Sequence, residues 1–366
     1  MREEPMYSQL SVVVGTRPEI VKLAPIVRIL GRRAALIHSG QHTDPELSEV
    51  FFSAAGLPVP DTLHGVCGEP RHIQVARIVG QLGARFAHRP PAAVLVQGDT
   101  NTAQAAAQAG HYAGVPVVHV EAGLRSFDRR MPEELNRCLI GVLADLHCAP
   151  TERAMANLVA EGVPARRIAL TGNTIVEATQ QMMPSDQAAR QIVAAAGAVP
   201  GQYVLATIHR PENTDDPHRL RVILDELGKL GLPVLVPLHP RTRQAVQRHG
   251  LSPALDRLVT LPPADHRTFL GLARHARLLV SDSGGVQEEC TVLKRPLIVV
   301  RNSTERPESI DAGFAHLVQP GPVLGDLGRR LIADDGLGSR LAGVPCPYGD
   351  GTASEQIAAC LRRYLN

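Results

Sequence analysis

The chain of 366 residues has no tryptophan and few aromatics of any kind, six phenylalanines and five tyrosines. No apolar run approaches the roughly 18 residues of a membrane span. The opening MREEPM carries acids and no signal-peptide core, so a cytoplasmic location is expected. The six cysteines form no CxxC pair, which argues against zinc and suits free thiols in a reducing compartment. Net charge is only +2, leaving no general field for nucleic acid or an anionic membrane. Lysine is scarce, with Lys22, Lys229 and Lys294 among 38 basic residues, so arginine by itself signals little here. Neither GxGxxG nor a Walker A loop occurs, which weakens the NAD and ATP readings.

What is present is a repeated alternation of short apolar runs with helix-like stretches. LSVVVG, RAALIHSG, AAVLVQGD, PVVHVEAG and RIALTGN read as strands in the first half, and YVLATIH, VLVPLH, RLVTL, RLLVSDSGG and PLIVVRN in the second. Continuous β-branched runs suit parallel strands covered on both faces, joined by right-handed crossovers. The pattern predicts an α/β chain of two Rossmann-like doubly wound domains facing a cleft, over 1–173 and 200–352. A connecting stretch over 174–199 and a C-terminal helix over 353–366, returning to the first domain, complete it.

In such sheets ligands sit beyond the carboxyl ends of the strands, so the residues following each strand are the candidates. After the first strand, GTRPEIVK puts Arg17 at a helix N-terminus, a poor place for a cation unless an anion binds there too. Arg17 and Lys22 are candidate phosphate ligands, with a surface salt bridge as the alternative. Asp99 in QGDTNTA either caps the helix that starts near Thr100 or does chemistry. Glu121 ends a buried run and needs partners, which Arg125 or Arg137 would supply. Glu133 and Glu134 add acids to the same connection. Convergence of Asp99, Glu121 and Glu133 would raise at least one carboxyl pKa and furnish an acid and a base. In the second half His209-Arg210 and His239 with Arg241 fit a phosphate-facing wall, and Arg306 follows another strand. The turn Ser283-Gly284-Gly285 lets backbone N–H groups approach a diphosphate at a helix N-terminus, with Glu288 and Glu289 beyond it.

GTRPEIVKLAP, GDTNTA, HVEAGLRSFDRRMPEELNR, HRPEN, DSGGVQEE and ERPE occur in this order over residues 15–308. Together they resemble the non-hydrolysing UDP-N-acetylglucosamine 2-epimerases, whose fold is that of the GT-B glycosyltransferases. The resemblance implies interconversion of UDP-GlcNAc and UDP-ManNAc through loss of UDP to 2-acetamidoglucal and its re-addition, with no cofactor and no metal, in a homodimer. It matches Asp99, Glu121 and Glu133 to catalytic carboxylates and His209 to a histidine near the diphosphate. Arg17, Lys22, Ser283, Gly284, Gly285, Glu289 and Arg306 match UDP-sugar contacts, Glu289 on the ribose, and Phe269 stands where the family places an aromatic against uracil. The stretch from Glu121 to Glu133 is two residues shorter than in familiar bacterial members. This resembles archaeal members and the epimerases of UDP-2,3-diacetamido-glucuronate. Gln41 and His42 match the start of an allosteric UDP-GlcNAc site, but the later EPRHIQ departs from it, and Ala264 replaces a glutamine near the uracil. A 2-epimerase of UDP-2,3-diacetamido-glucuronate, a hydrolysing epimerase releasing ManNAc and UDP, or a GT-B glycosyltransferase using the same UDP grip, are the alternatives.

Overall fold

A computed structural model describes residues 9–41, 52–53 and 56–365. Chain contacts divide it into two compact units, Met1–Ala178 with Tyr348–Asn366, and Thr179–Pro347.

In the first unit seven parallel strands lie in the order β3-β2-β1-β4-β5-β6-β7. They are β1 (Leu10–Val14), β2 (Ala34–His38), β3 (Asp61–Thr62), β4 (Val94–Gln97), β5 (Val117–Val120), β6 (Leu146–Ala149) and β7 (Ile168–Leu170). Alternate strand residues go to opposite faces. Val12, Val14, Leu95 and Val118 belong to one core cluster, and Val13, Val94, Val96 and Val117 to the other. Helices cover both faces, which is why the strands read as unbroken apolar runs. The final helix, Ala353–Leu365, adds Ile357, Cys360 and Leu361 to the first of these clusters, beside Leu23, Ala24 and Val27 of the helix Arg17–Leu30.

The second unit repeats the winding with six parallel strands, β10-β9-β8-β11-β12-β13. These are β8 (Val204–Thr207), β9 (Val234–Pro237), β10 (Val259–Leu261), β11 (Leu278–Ser281), β12 (Leu297–Val300) and β13 (Ala315–Val318). The ten apolar runs noted above all fall on strands. β3, β6 and β13 are additional, and each is short or interrupted, as in the LHCA of β6 and AHLV of β13, where histidine breaks the apolar run. The stretch over 174–199 holds two helices, Ile175–Met182 and Asp186–Ala195. The division between units runs through the first of these.

Both sheets reverse direction once, between β1 and β4 and between β8 and β11. At such a reversal adjacent connections leave in opposite directions and open a crevice beyond the strand ends. The candidate residues gather after these four strands and their neighbours.

Candidate active site

At the end of β1 the chain makes a very close approach to its neighbours. A Cβ on Gly15 would overlap the hydroxyls of Ser39 and Thr102, which themselves hydrogen-bond at 2.7 Å. Glu19, one turn into the next helix, reaches back to accept from Gly15 N (3.0 Å) and Thr16 Oγ1 (2.8 Å), and also from Thr100 Oγ1 after β4 (2.7 Å). Burial pushes its carboxyl up to about 7 against those hydrogen bonds. Gln41 accepts from Thr102 N at 2.9 Å, tying the end of β2 to the same corner. His42 lies outside the described residues.

Asp99 does not cap the helix Asn101–Tyr112; Thr100 does, accepting from Ala103 N at 3.0 Å. The Asp99 carboxylate pairs instead with Arg137. Its backbone is held as well: Asn136 Nδ2 donates to Asp99 O (2.8 Å), and His119 Nε2 lies 2.8 Å from Gly98 O.

Glu121 is 6% exposed and has φ = 66°. A non-glycine residue in the left-handed region costs of order 1–3 kcal/mol and persists only where its surroundings force it. Those surroundings are Gln97 Nε2 at 2.9 Å, Asn173 Nδ2 at 3.4 Å and the Lys22 ammonium, all on Glu121 Oε2. Of the arginines expected to partner it, Arg125 pairs with Glu161 at 2.6 Å, and Arg137 pairs with Asp99 and Glu134. Lys22 is 3% exposed, so its ion pair with Glu121 is a buried one and not the surface salt bridge named as the alternative.

The adjacent glutamates at the head of the helix Pro132–Leu143 have diverged. Glu134 is 3% exposed and accepts from Ser126 N (2.9 Å), Ser126 Oγ (3.0 Å) and Phe127 N (2.9 Å), as well as from Arg137 Nη2 (2.7 Å). Burial pushes its carboxyl up, but the Ser126 N–H and the Arg137 charge outweigh that and hold it below the ordinary value. Glu133 is only partly buried, and its carboxyl has no hydrogen bond or ion pair among the described residues. Arg137 thus joins Asp99 to the helix that carries Glu133.

In the second unit the organising group is Asp282, which the sequence reading passed over within DSGGVQEE. It is fully buried after β11 and accepts from His209 N (3.0 Å), Arg210 N (2.8 Å) and Asn213 Nδ2 (3.0 Å). His209 Nδ1 stands 3.4 Å from its Oδ1, and the His209 ring tilts against His239 with centroids 5.2 Å apart. Burial lowers the His209 pKa despite Asp282, so the ring is neutral near pH 7. His239 uses Nδ1 to accept from Arg241 N at 3.2 Å, as a helix cap. Arg241 is paired with Asp215 at 3.1 Å. The Arg210 guanidinium has no such partner among the described residues.

Ser283 precedes the helix Gly284–Leu293. Neither glycine has a left-handed backbone. A Cβ on Gly284 would lie 2.8 Å from Arg306 Nη1, whereas one on Gly285 would meet nothing closer than 4.0 Å. The protein's own packing therefore does not require glycine at 285, and the open space is where a ligand can approach helix N–H groups. Arg306, 6% exposed, is paired with Glu288 at 2.8 Å and with Glu305, so it braces this turn. Glu289 accepts from His266 Nε2 at 2.8 Å. Phe269 is partly buried against the core on one face of this sheet. Arg17 is the first residue of its helix and half-buried.

Strand-end reasoning could have found Gln97 and Asn173, which stand at or just after β4 and β7. Nothing local marks Asp282 as a loop organiser or His266 as a partner of Glu289.

A family model described as UDP-N-acetylglucosamine 2-epimerase matches residues 31–362. The UDP-N-acetylglucosamine 2-epimerase of Methanocaldococcus jannaschii is 35% identical over 366 residues, covering 96% of this chain and 98% of that protein. A crystal structure of the M. jannaschii UDP-GlcNAc 2-epimerase in complex with UDP-GlcNAc and UDP aligns with a TM-score of 0.88 at 34% identity, over 97% of this chain and 99% of that one. The UDP-2,3-diacetamido-2,3-dideoxy-D-glucuronate 2-epimerase of Pseudomonas aeruginosa is 32% identical over 365 residues, covering 97% of this chain and 99% of that protein.

Proposed function

The chain belongs to the UDP-N-acetylglucosamine 2-epimerase family, and from that membership we propose that it is an isomerase interconverting UDP-GlcNAc and UDP-ManNAc. The observation that carries the reading is Glu121: a buried carboxylate at a strand end, held in a left-handed backbone by Lys22, Gln97 and Asn173. Strain of this kind, maintained around a charged group, marks a site of chemistry more than one of stability.

The reaction breaks the C2–H bond and the C1–O bond to UDP, leaving 2-acetamidoglucal. Re-addition forms both bonds again with the proton on the opposite face of C2. It needs a proton acceptor and a proton donor, and Asp99, Glu121 and Glu133 are the groups assigned to it. Arg137 and Lys22 compensate the charge of the first two. Glu133 has no competing partner among the described residues and is free to exchange a proton. Departing UDP carries negative charge, which Ser283, Gly284 and Gly285 would meet with backbone N–H groups, alongside neutral His209 and the Arg210 guanidinium. Arg17 and His239 are assigned to the UDP-sugar, Phe269 to the uracil and Glu289 to the ribose hydroxyls; Gln41 remains the described candidate for an effector contact. A homodimer is proposed from the family reading and a cytoplasmic location from the sequence; among the described residues no helix is long and apolar enough to cross a membrane.

The Pseudomonas relative supports a second reading, the same chemistry on UDP-2,3-diacetamido-glucuronate. Turnover of the two nucleotide sugars side by side tests both. UDP-ManNAc formed from UDP-GlcNAc with no net release of free UDP is the expected result. Turnover of the glucuronate alone would replace the reading, and accumulation of UDP would mark a hydrolysing enzyme.

A further inference from the structure

Two adjacent glutamates on the helix Gly284–Leu293 have opposite employment. Glu288 is fully buried and paired with Arg306. Glu289 is 6% exposed, and one of its oxygens, Oε1, accepts from His266 Nε2 at 2.8 Å. Its other oxygen has no hydrogen-bond partner among the described residues. Met182 packs against the imidazole, its Sδ 3.3 Å from His266 Nδ1. Three helices thus meet at one carboxylate. Ile175–Met182 brings Met182 against the ring, His266–His275 carries the imidazole, with Asp265 capping its start by accepting from Thr268 N at 2.7 Å, and Gly284–Leu293 carries the glutamate.

We propose that His266 is a positioning residue for nucleotide recognition: it presets Glu289 so that the remaining acceptor sites of the carboxylate receive the vicinal hydroxyls of a ribose. The inference rests on the reading of Glu289 as the ribose contact and deepens it. Glu289 lies five residues beyond Gly284, about 7.5 Å along the helix axis. That is the scale of the reach from a nucleotide's 5′-phosphate to its own 2′- and 3′-hydroxyls. A carboxylate has about four lone-pair sites and His266 occupies one of them, so a diol donating two hydrogen bonds can still be accepted. A free glutamate side chain would lose its rotamer freedom on each binding event; one already held by imidazole has lost it on folding. A site whose buried acceptor waits for a hydroxyl also rejects the analogue that lacks it, because the acceptor is then left unpaired.

The test compares UDP with 2′-deoxy-UDP by calorimetry on the full chain, and follows KM and kcat for UDP-GlcNAc. The parent protein should prefer UDP by about ten- to a hundredfold, the worth of a hydrogen bond to a charged acceptor. His266→Ala should lose most of that preference and raise KM, with kcat moving less than about threefold. His266→Gln, which keeps an N–H at the reach of Nε2, should restore it. If the alanine variant does not fold, His266→Asn, whose amide falls short of Glu289, takes its place. No preference in the parent removes the ribose assignment of Glu289 and this proposal with it. A parent preference kept in full by His266→Ala leaves the assignment of Glu289 standing and overturns the role of His266. So does failure of His266→Gln to restore a lost preference.

Discussion

His147 on β6 sits opposite His119 on β5, and both are fully buried. Burial, with further opposition from nearby arginines, lowers His119 to about 3 and His147 to about 4, from an ordinary 6.5. Among the described residues neither ring nitrogen of His147 has a hydrogen bond of good geometry. A histidine with a depressed folded pKa binds its proton more readily when the chain is unfolded. Its contribution is intact above 6.5 and is lost as pH falls toward the folded value. Between pH 7 and pH 5 each ring then costs about 2 kcal/mol, and the two together about 4. Glu19 works the other way: raised to about 7, it takes up its proton in the folded state and returns about 2 kcal/mol over the same interval. These three groups together cost the first unit about 2 kcal/mol over the interval. His147→Leu removes one ring and should lessen the unit's loss by about 2 kcal/mol. At about 2–4 °C per kcal/mol for a domain near 200 residues, the variant's melting transition at pH 5 should be spared some 4–8 °C of the drop seen in the parent. At pH 7 it should be about as stable as the parent, since the ring that goes is buried with poor hydrogen-bond geometry. Urea or thermal unfolding of both proteins at the two pH values, followed on the transition of the first unit, decides it. Equal losses between pH 7 and 5 would refute the assignment of acid lability to His147.

Further outcomes follow from the same geometry. Gly15→Ala forces a methyl against Ser39 and Thr102 and should cost about 1–3 kcal/mol of stability; a melting temperature equal to the parent's would contradict that packing. Arg137→Met strips Asp99 and the buried Glu134 of their cation. The loss should be near the lower end of the roughly 3–5 kcal/mol of a broken buried pair, because Ser126 and Phe127 still donate to Glu134. Denaturant titration reads it. Gly285→Ala meets open space in a helical backbone, so stability should hold or rise by up to about 1 kcal/mol. UDP affinity, measured by calorimetry, should fall at least about tenfold as the methyl occupies the diphosphate's approach. Unaltered UDP binding would move the phosphate site elsewhere.

Much of the fold was legible because strands buried on both faces write themselves as apolar runs. The three that went unnoticed, β3, β6 and β13, are short or carry histidine within the run. His147 and Cys148 make β6 look like a loop although both are buried. At the site, Asp99, Glu121 and Glu133 could be picked out because strand ends and helix heads are local features. Their partners could not. Lys22 meets Glu121 across 99 residues, and Arg306 meets Glu288 across 18. Such contacts depend on how helices are rotated against the sheet. The same rotation decides that Glu134 turns inward with Arg137 and Ile140 while Glu133 stays partly exposed, a choice that two neighbouring glutamates leave open in sequence. Asp99 shows the converse error: Asp-Thr before a helix offers two caps, and Thr100 takes the position, leaving the aspartate for Arg137.

The central claim is that carboxylates of the first unit move the C2 proton of a UDP-sugar. It is tested most directly by incubating the protein with UDP-GlcNAc in deuterated water and reading C2 by proton NMR and mass. One deuterium at C2, appearing in UDP-ManNAc and in time in the recovered UDP-GlcNAc, is the predicted result. Glu121→Gln should abolish it while still binding UDP. UDP-ManNAc formed without deuterium at C2, or full exchange in Glu121→Gln, would contradict the account.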